Sequence, residues 1–325
     1  MLESKEGFAS NMAFSVNNQP RIIYMGTPEI SAIVLRGMIE AGFNIVALIT
    51  NEDKPVGRKK ELEPTPTKKV AATHHIPVYQ PHRIREDNAF LKDIPCDIIV
   101  TMAYGQIVPK EVLDHPSIGC INLHGSLLPK LRGAAPIQRS IMEGDKVTGV
   151  TLMQMVDKMD AGVMYDKKEV VIEDNDNYTS LSIKIGEAAK DLIVEDLLKY
   201  ANGKLPGLAQ KEEEVTFAAK IKPTDEHLSL DMEATDLVNM IRGLSLTPGG
   251  YFLLEGKKLK VFGAVIDRKG EEAPIGTILS LKKGVFLQAK GAVLSLSSLQ
   301  LEGKKSMDAK SFANGNQNLL GKVLK

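Results

Sequence analysis

From Arg21 onward the chain alternates short, mostly apolar runs with amphipathic stretches. That rhythm favours a mainly parallel sheet wrapped by helices, because each parallel strand pair needs a crossover long enough to hold a helix. The apolar runs lie at 21–25, 44–49, 97–101, 120–123 and 149–155. Nearly continuous rather than alternating apolarity is what a strand covered on both faces requires. A helix is predicted to begin near Pro28, where proline suits a first turn, with Ile30, Ile33, Val34 and Met38 on one stripe. A second is predicted after Asn177, carrying Leu181, Ile185, Ala188 and Leu192 at helical spacing. The fold class that follows is α/β, a doubly wound, mainly parallel sheet.

The rhythm stops at Gly203, where Gly, Pro and a run of charge (GKLPGLAQKEEE) have the composition of a connector. Beyond it, alternating segments at 259–265, 276–281, 285–289 and 293–296 are separated by Gly and Lys turns and predict a second, smaller β-barrel domain, OB-like in type. At 325 residues the chain is long for one core and comfortable for two. The expected division is an N-terminal extension over 1–20, a catalytic domain over 21–202, a linker over 203–216 and the barrel over 217–325.

The 41 Lys and Arg balance the 41 Asp and Glu, so nucleic-acid binding would need a local basic surface rather than a basic chain. Cys96 and Cys120 each sit in an apolar run and read as reduced core thiols, with no ligand spacing for a metal. No apolar run reaches the roughly 18 residues that span a bilayer, and the first 20 residues carry Glu3 and Glu6 without an arginine. The expectation is a cytoplasmic chain without a membrane partner.

The most informative stretch is Ile121-Asn122-Leu123-His124-Gly125-Ser126-Leu127-Leu128-Pro129. Asn122 and His124, two apart on a strand end, project from the same face. At the carboxyl end of a parallel strand that face opens into the crevice where such sheets bind ligands. A carboxamide and an imidazole there can stabilise a developing oxyanion and handle a proton, which is what acyl transfer to an amine requires. Asp157 and Asp160 follow a later apolar strand, and spacing alone does not choose which of them serves the imidazole. A hydrolase triad through Ser126 lacks the Gly-x-Ser-x-Gly elbow, and Gly26 begins no Gly-x-Gly-x-x-Gly fingerprint, so NAD is not expected.

The segment 120–141, CINLHGSLLPKLRGAAPIQRSI, resembles the folate-dependent formyltransferases, as do 21–29, 103–109, 148–155 and the turn Met159-Asp160-Ala161-Gly162. The resemblance covers nearly the whole chain from Arg21 and implies a Rossmann-like catalytic domain followed by a smaller barrel. It implies that Asn122, His124 and Asp160 are catalytic, with Asp160 rather than Asp157 as the acid. It implies 10-formyltetrahydrofolate as formyl donor, with its pterin against Gln106, Ile107, Val108 and the 156–160 loop and with Ser126, Leu127, Leu128 and Pro129 lining the folate site, and no metal.

Two features favour an acceptor amine carried on initiator methionyl-tRNA. The long insertion over 51–67, with Arg58, Lys59 and Lys60 in succession, resembles the family's loop for the tRNA acceptor arm, where cations meet phosphates. From residue 221 onward 15 Lys and Arg face 11 Asp and Glu, a locally basic domain. The alternatives are a small amine, glycinamide ribonucleotide or an amino sugar, and a tRNA-binding homologue without catalysis. The chain is expected to act as a monomer. It departs from the family near Pro248, where relatives carry tryptophan and this sequence has none.

Overall fold

The computed structural model describes residues 13–57 and 60–325. Seven strands form the first sheet: β1 (Ile22–Gly26), β2 (Ile45–Ile49), β3 (Val78–Tyr79), β4 (Ile98–Met102), β5 (Gly119–His124), β6 (Val147–Gln154) and β7 (Met164–Val171). Their spatial order is β7-β6-β5-β4-β1-β2-β3. The five from β1 to β5 run parallel. The order reverses between β1 and β4, and the crevice outside the carboxyl ends of strands at such a switch point is where open α/β sheets take ligands.

The helix α1 (Glu29–Glu40) and the helix α4 (Tyr178–Ala201) cover one face; between them in sequence lie α2 (Pro66–Thr73) and α3 (Pro136–Met142). Ala32, Val34, Leu35 and Met38 of α1 share a core with Leu181, Ile185 and Leu192 of α4. Asn177 starts α4 through a capping box with Ser180, each side chain bonding the other's backbone N–H. The opposite face is closed by Ile84, Leu91, Ile94 and Val112 from turns and short helical pieces. Cys96 and Cys120 lie there as buried free thiols.

One strand differs in direction from the parallel expectation. β6 runs antiparallel to β5, with His124 opposite Thr151 and Ile121 opposite Gln154. The helix before it, α3, has seven residues. It spans about 10 Å, which keeps the chain at the carboxyl end of the sheet instead of carrying it back along the face.

The second domain is a small barrel: β8 (Gly250–Leu254), β9 (Lys257–Lys269), β10 (Ile278–Ser280), β11 (Val285–Gln288) and β12 (Ala292–Leu301), in the order β8-β9-β12-β11-β10. The final residues close it. Gly321 and Lys322 bond Ile278 on one edge, and Lys325 exchanges backbone hydrogen bonds with Leu253 on the other. Closure leaves no free edge between β8 and β10.

The sequence reading contains no helix between the domains, yet α5 (Ala234–Leu244) buries Leu237, Ile241 and Leu244 against the barrel. Its other side meets the first domain. A Cβ on Gly243 would stand 2.6 Å from the Met142 side chain. Arg242 donates to the carbonyls of Glu173, Asp174 and Asp176, and Arg139 pairs with Asp225 at 3.2 Å. The stretch 203–216 is also seated rather than free: Leu208 pairs with Met164, and Arg132 and Leu131 both donate to Thr216. Among residues of the expected extension that are described, the Phe14 backbone bonds the Asn202 side chain in both directions.

Candidate active site

A cleft of about 570 Å³ opens at the switch point. Its walls come from Pro28 and Ile30 after β1, residues 101–108 at and after β4, residues 122–125 of β5, and the loop between β6 and β7. Asn122, His124 and Asp160 all face it.

The carboxamide of Asn122 is oriented from behind. The hydroxyl of Thr101, opposite Asn122 on β4, donates to Asn122 Oδ1 at 2.6 Å. With its oxygen so engaged, Asn122 presents its Nδ2 donor away from that bond.

His124 is buried and fixed by a carbonyl. Its Nε2 lies 2.9 Å from the oxygen of Leu131. A carbonyl only accepts, so Nε2 carries the proton and, in the neutral ring, Nδ1 keeps its lone pair. Nδ1 faces Oδ1 of Asp160 at 3.6 Å. That separation is too long for a direct hydrogen bond and short for electrostatic contact. The other oxygen of Asp160 accepts the Gly133 N–H at 2.8 Å.

Asp160 reaches this position by a return loop. Because β6 is antiparallel, its end lies beside the start of β5, where the Met155 N–H bonds the Cys120 carbonyl. The loop then folds back over the cleft, with Asp160 in the left-handed region at φ 50°. Aspartate tolerates that conformation better than most residues. Leu131, whose carbonyl holds the imidazole, is also left-handed at φ 60°. Gly133, at φ 121°, lies so close to the 217–218 strand that a Cβ would stand 2.7 Å from the Ala218 carbonyl.

The remaining expected residues separate into those on the cleft and those behind it. Gln106, Ile107 and Val108 line the wall. The amide of Gln106 is engaged within the protein, donating to Asn51 Oδ1 and accepting from the Ile84 N–H, so it braces the wall. Ser126, Leu127, Leu128 and Pro129 do not line the cleft. The loop turns inward after Gly125: Ser126 donates to the Lys130 carbonyl, and the Leu128 N–H bonds Thr151 on β6. They shape the loop that carries His124. Arg58 and Lys59 lie outside the described residues. Lys60 is exposed on a hairpin formed by Lys54–Val56 and Glu61–Glu63, which follows Asn51, a residue that bonds Gln106 and the Tyr104 carbonyl of the cleft wall.

Sequence reasoning missed Thr101 and the Leu131 carbonyl, and it reached Ile107 and the 156–160 loop through the family resemblance alone, without reading the apolar rim they form. Thr101 carried a signal, being the hydroxyl at the end of an otherwise apolar run. Leu131 carried none, because the group that acts is a backbone carbonyl. Ile107, Val156 and Met159 line the cleft while 70%, 39% and 62% exposed. Large apolar side chains left in water around one opening mark a surface that receives an apolar body.

Comparison with known proteins gives the family. The family model described as "Formyl transferase" matches residues 21–197, and "Formyl transferase, C-terminal domain" matches 220–317. Among curated proteins, the chain is 40% identical over 308 residues to methionyl-tRNA formyltransferase of Malacoplasma penetrans (strain HF-2), covering 94% of this chain and 96% of that one. It is 42% identical over 308 residues to the protein of that name from Bacillus thuringiensis subsp. konkukian, covering 94% and 98%. The fold is shared with an N-formyltransferase from Helicobacter canadensis, solved with folinic acid and dTDP-3-aminofucose, at TM-score 0.65 and 15% identity over 86% of this chain and 99% of that one. It is shared equally with HypX from Aquifex aeolicus solved with tetrahydrofolic acid, at TM-score 0.65 and 15% identity over 92% of this chain and 47% of that one.

Proposed function

Since this chain belongs to the formyltransferase family, we propose that it is the enzyme that moves a formyl group from 10-formyltetrahydrofolate to the α-amine of methionine on initiator tRNA. The observation that carries the chemistry is the convergence of Asn122, His124 and Asp160 on one cleft with an apolar rim. The identity of the acceptor rests on relatives of that name along nearly the full length of both chains.

The cleft residues fit a folate. Ile107, Val108, Met153, Met155 and Met159 offer an apolar surface for a flat heterocycle. When bound, the folate supplies an activated formyl carbon. Gln106 contributes by bracing this wall.

The chain's own groups do the rest. The Asn122 Nδ2 donor stabilises the negative charge that grows on the formyl oxygen when the neutral amine attacks. His124 Nδ1 accepts the proton that the new C–N bond makes acidic. The resulting imidazolium has its Nε2–H on the Leu131 carbonyl and its Nδ1–H toward Asp160, whose carboxylate stabilises the charge. The proton then leaves with the departing nitrogen, returning the imidazole to its starting form.

Lys60, with its sequence neighbours Arg58 and Lys59, and the lysine-rich barrel provide cations for the phosphates of the acceptor arm. One chain supplies all three catalytic groups, so a monomer suffices. We place the reaction in the cytoplasm, where initiator tRNA is charged; among the described residues no helix is long and apolar enough to cross a membrane.

Acceptor profiling tests this reading. Labelled 10-formyltetrahydrofolate is offered with charged initiator tRNA, charged elongator tRNA, glycinamide ribonucleotide or a nucleotide-linked amino sugar. Label is expected on initiator methionyl-tRNA. Label on a small amine, formate release without any acceptor, or tRNA binding without transfer would each overturn it.

A further inference from the structure

We infer that Gln210, in the segment joining the two domains, is a positioning residue for the catalytic aspartate. The inference rests on the function proposed above and concerns a residue outside the cleft wall.

The side chain of Gln210 reaches into the return loop and uses both of its amide donors there. Its Nε2 donates to the carbonyl of Asp160 at 2.7 Å and to the carbonyl of Gly162 at 2.8 Å. Its Oε1 accepts from Nε of Arg132 at 2.9 Å. Arg132 is 1% exposed and directly follows Leu131, whose carbonyl holds His124. One amide therefore joins the loop bearing Asp160 to the loop that fixes the imidazole.

The loop needs this support. Asp160 is held in the left-handed region, which aspartate tolerates better than most residues but still at some cost that its surroundings must offset. Gly162 runs so close to β6 that a Cβ would stand 1.9 Å from the Gln154 carbonyl, so this side of the loop has no room to re-form. The two carbonyls turned toward Gln210 have no other hydrogen-bonded donor among the described residues. A second tie comes from the same segment: Lys158 and Arg132 both pair with Glu212, at 3.3 and 3.0 Å. The carboxylate of Asp160 makes no hydrogen bond or ion pair with the side chain of Gln210 or Arg132, so Gln210 acts through the backbone that aims it.

Two substitutions separate positioning from simple docking of the connector. Gln210→Leu removes all three hydrogen bonds. Gln210→Glu keeps an acceptor for Arg132, and so the docking, but replaces the donor to both carbonyls with a negative charge. If Gln210 positions Asp160, both variants lower kcat about tenfold to a hundredfold, the range a displacement near 1 Å produces, while KM for donor and acceptor stays within about twofold. A second readout needs no substrate. The Gly133 N–H, which donates to Asp160 Oδ2, should exchange with solvent faster in both variants, while that of Val100 in the sheet keeps its wild-type rate.

Gln210→Glu with wild-type kcat and wild-type exchange at Gly133 would overturn the inference, and this holds even if Gln210→Leu proves unstable. A wild-type protein that transfers no formyl group, with exchange at Gly133 still hastened in the variants, would defeat the proposed function and leave the positioning role standing.

Discussion

His124 Nδ1 stands 3.6 Å from Asp160 Oδ1 while the opposite ring nitrogen is held by the Leu131 carbonyl. The ring is thus oriented by a backbone group and polarised by a carboxylate. These two duties fall to different residues, and the predictions follow from separating them.

Asp160→Asn keeps the acceptor for the Gly133 N–H but removes the charge that faces the imidazolium. Turnover is expected to fall by about 10²-fold or more, in keeping with a loss of roughly 3 kcal/mol of transition-state stabilisation. Folate affinity, measured by fluorescence titration, should change little. Turnover within twofold of wild type would remove Asp160 from the mechanism.

Thr101→Val deletes the hydroxyl that orients Asn122 without changing the volume at the end of β4 appreciably. It should cost about tenfold in kcat, the effect of one neutral hydrogen bond. Asn122→Ala should cost about 10²- to 10³-fold by removing the donor itself. Steady-state kinetics on the pair gives the ordering, and a Thr101→Val effect as large as that of Asn122→Ala would contradict the division of roles.

Asp97 accepts from the backbone and guanidinium of Arg21 and from the Ser117 hydroxyl, and these bonds, Arg21 foremost, hold its pKa down to about 2 from 3.8. A depressed carboxylate contributes stability above its unfolded pKa and loses it as the pH falls toward the folded value. The gap corresponds to about 2 kcal/mol, and half exposure of Arg21 screens it to about 1. In urea unfolding, Asp97→Asn should be less stable than wild type at pH 7, and the difference should shrink steadily below pH 4. A difference of equal size at pH 7 and pH 3 would exclude this coupling.

Burial pushes the Cys96 thiol up to about 11 and the Cys120 thiol higher still. Neither supplies thiolate at neutral pH. Ellman's reagent should therefore find no fast-reacting thiol in the native protein and both thiols after denaturation. Rapid native labelling of either would mean that the face of the sheet behind β1 and β4 opens.

Five strands of the first sheet, β1, β2, β4, β5 and β6, together with α1 and α4, were legible because their signals are local, continuous apolarity and helical spacing; β3, only two residues long, and β7, whose burial alternates, carried no such run. The placing of Asn122 and His124 on one wall was legible too, since a spacing of two fixes a shared face on a strand. The direction of β6 was not, because an apolar run has no polarity; direction follows from how far α3 can carry the chain. The helix α5 left a readable stripe in Leu237, Ile241 and Leu244, obscured by the strands around it. The seating of 203–216 could not be read from its Gly, Pro and charge, since what holds it are carbonyls of distant loops. The route by which Asp160 meets His124 is a tertiary fact of the same kind.

The most direct test of the account is single-turnover transfer from labelled 10-formyltetrahydrofolate to initiator methionyl-tRNA by wild type and His124→Ala. The wild-type protein should form N-formylmethionyl-tRNA with one equivalent of label. His124→Ala, saturated with both substrates, should be slower by about 10²-fold or more. Equal single-turnover rates in the two proteins would show that the imidazole takes no part in the chemical step.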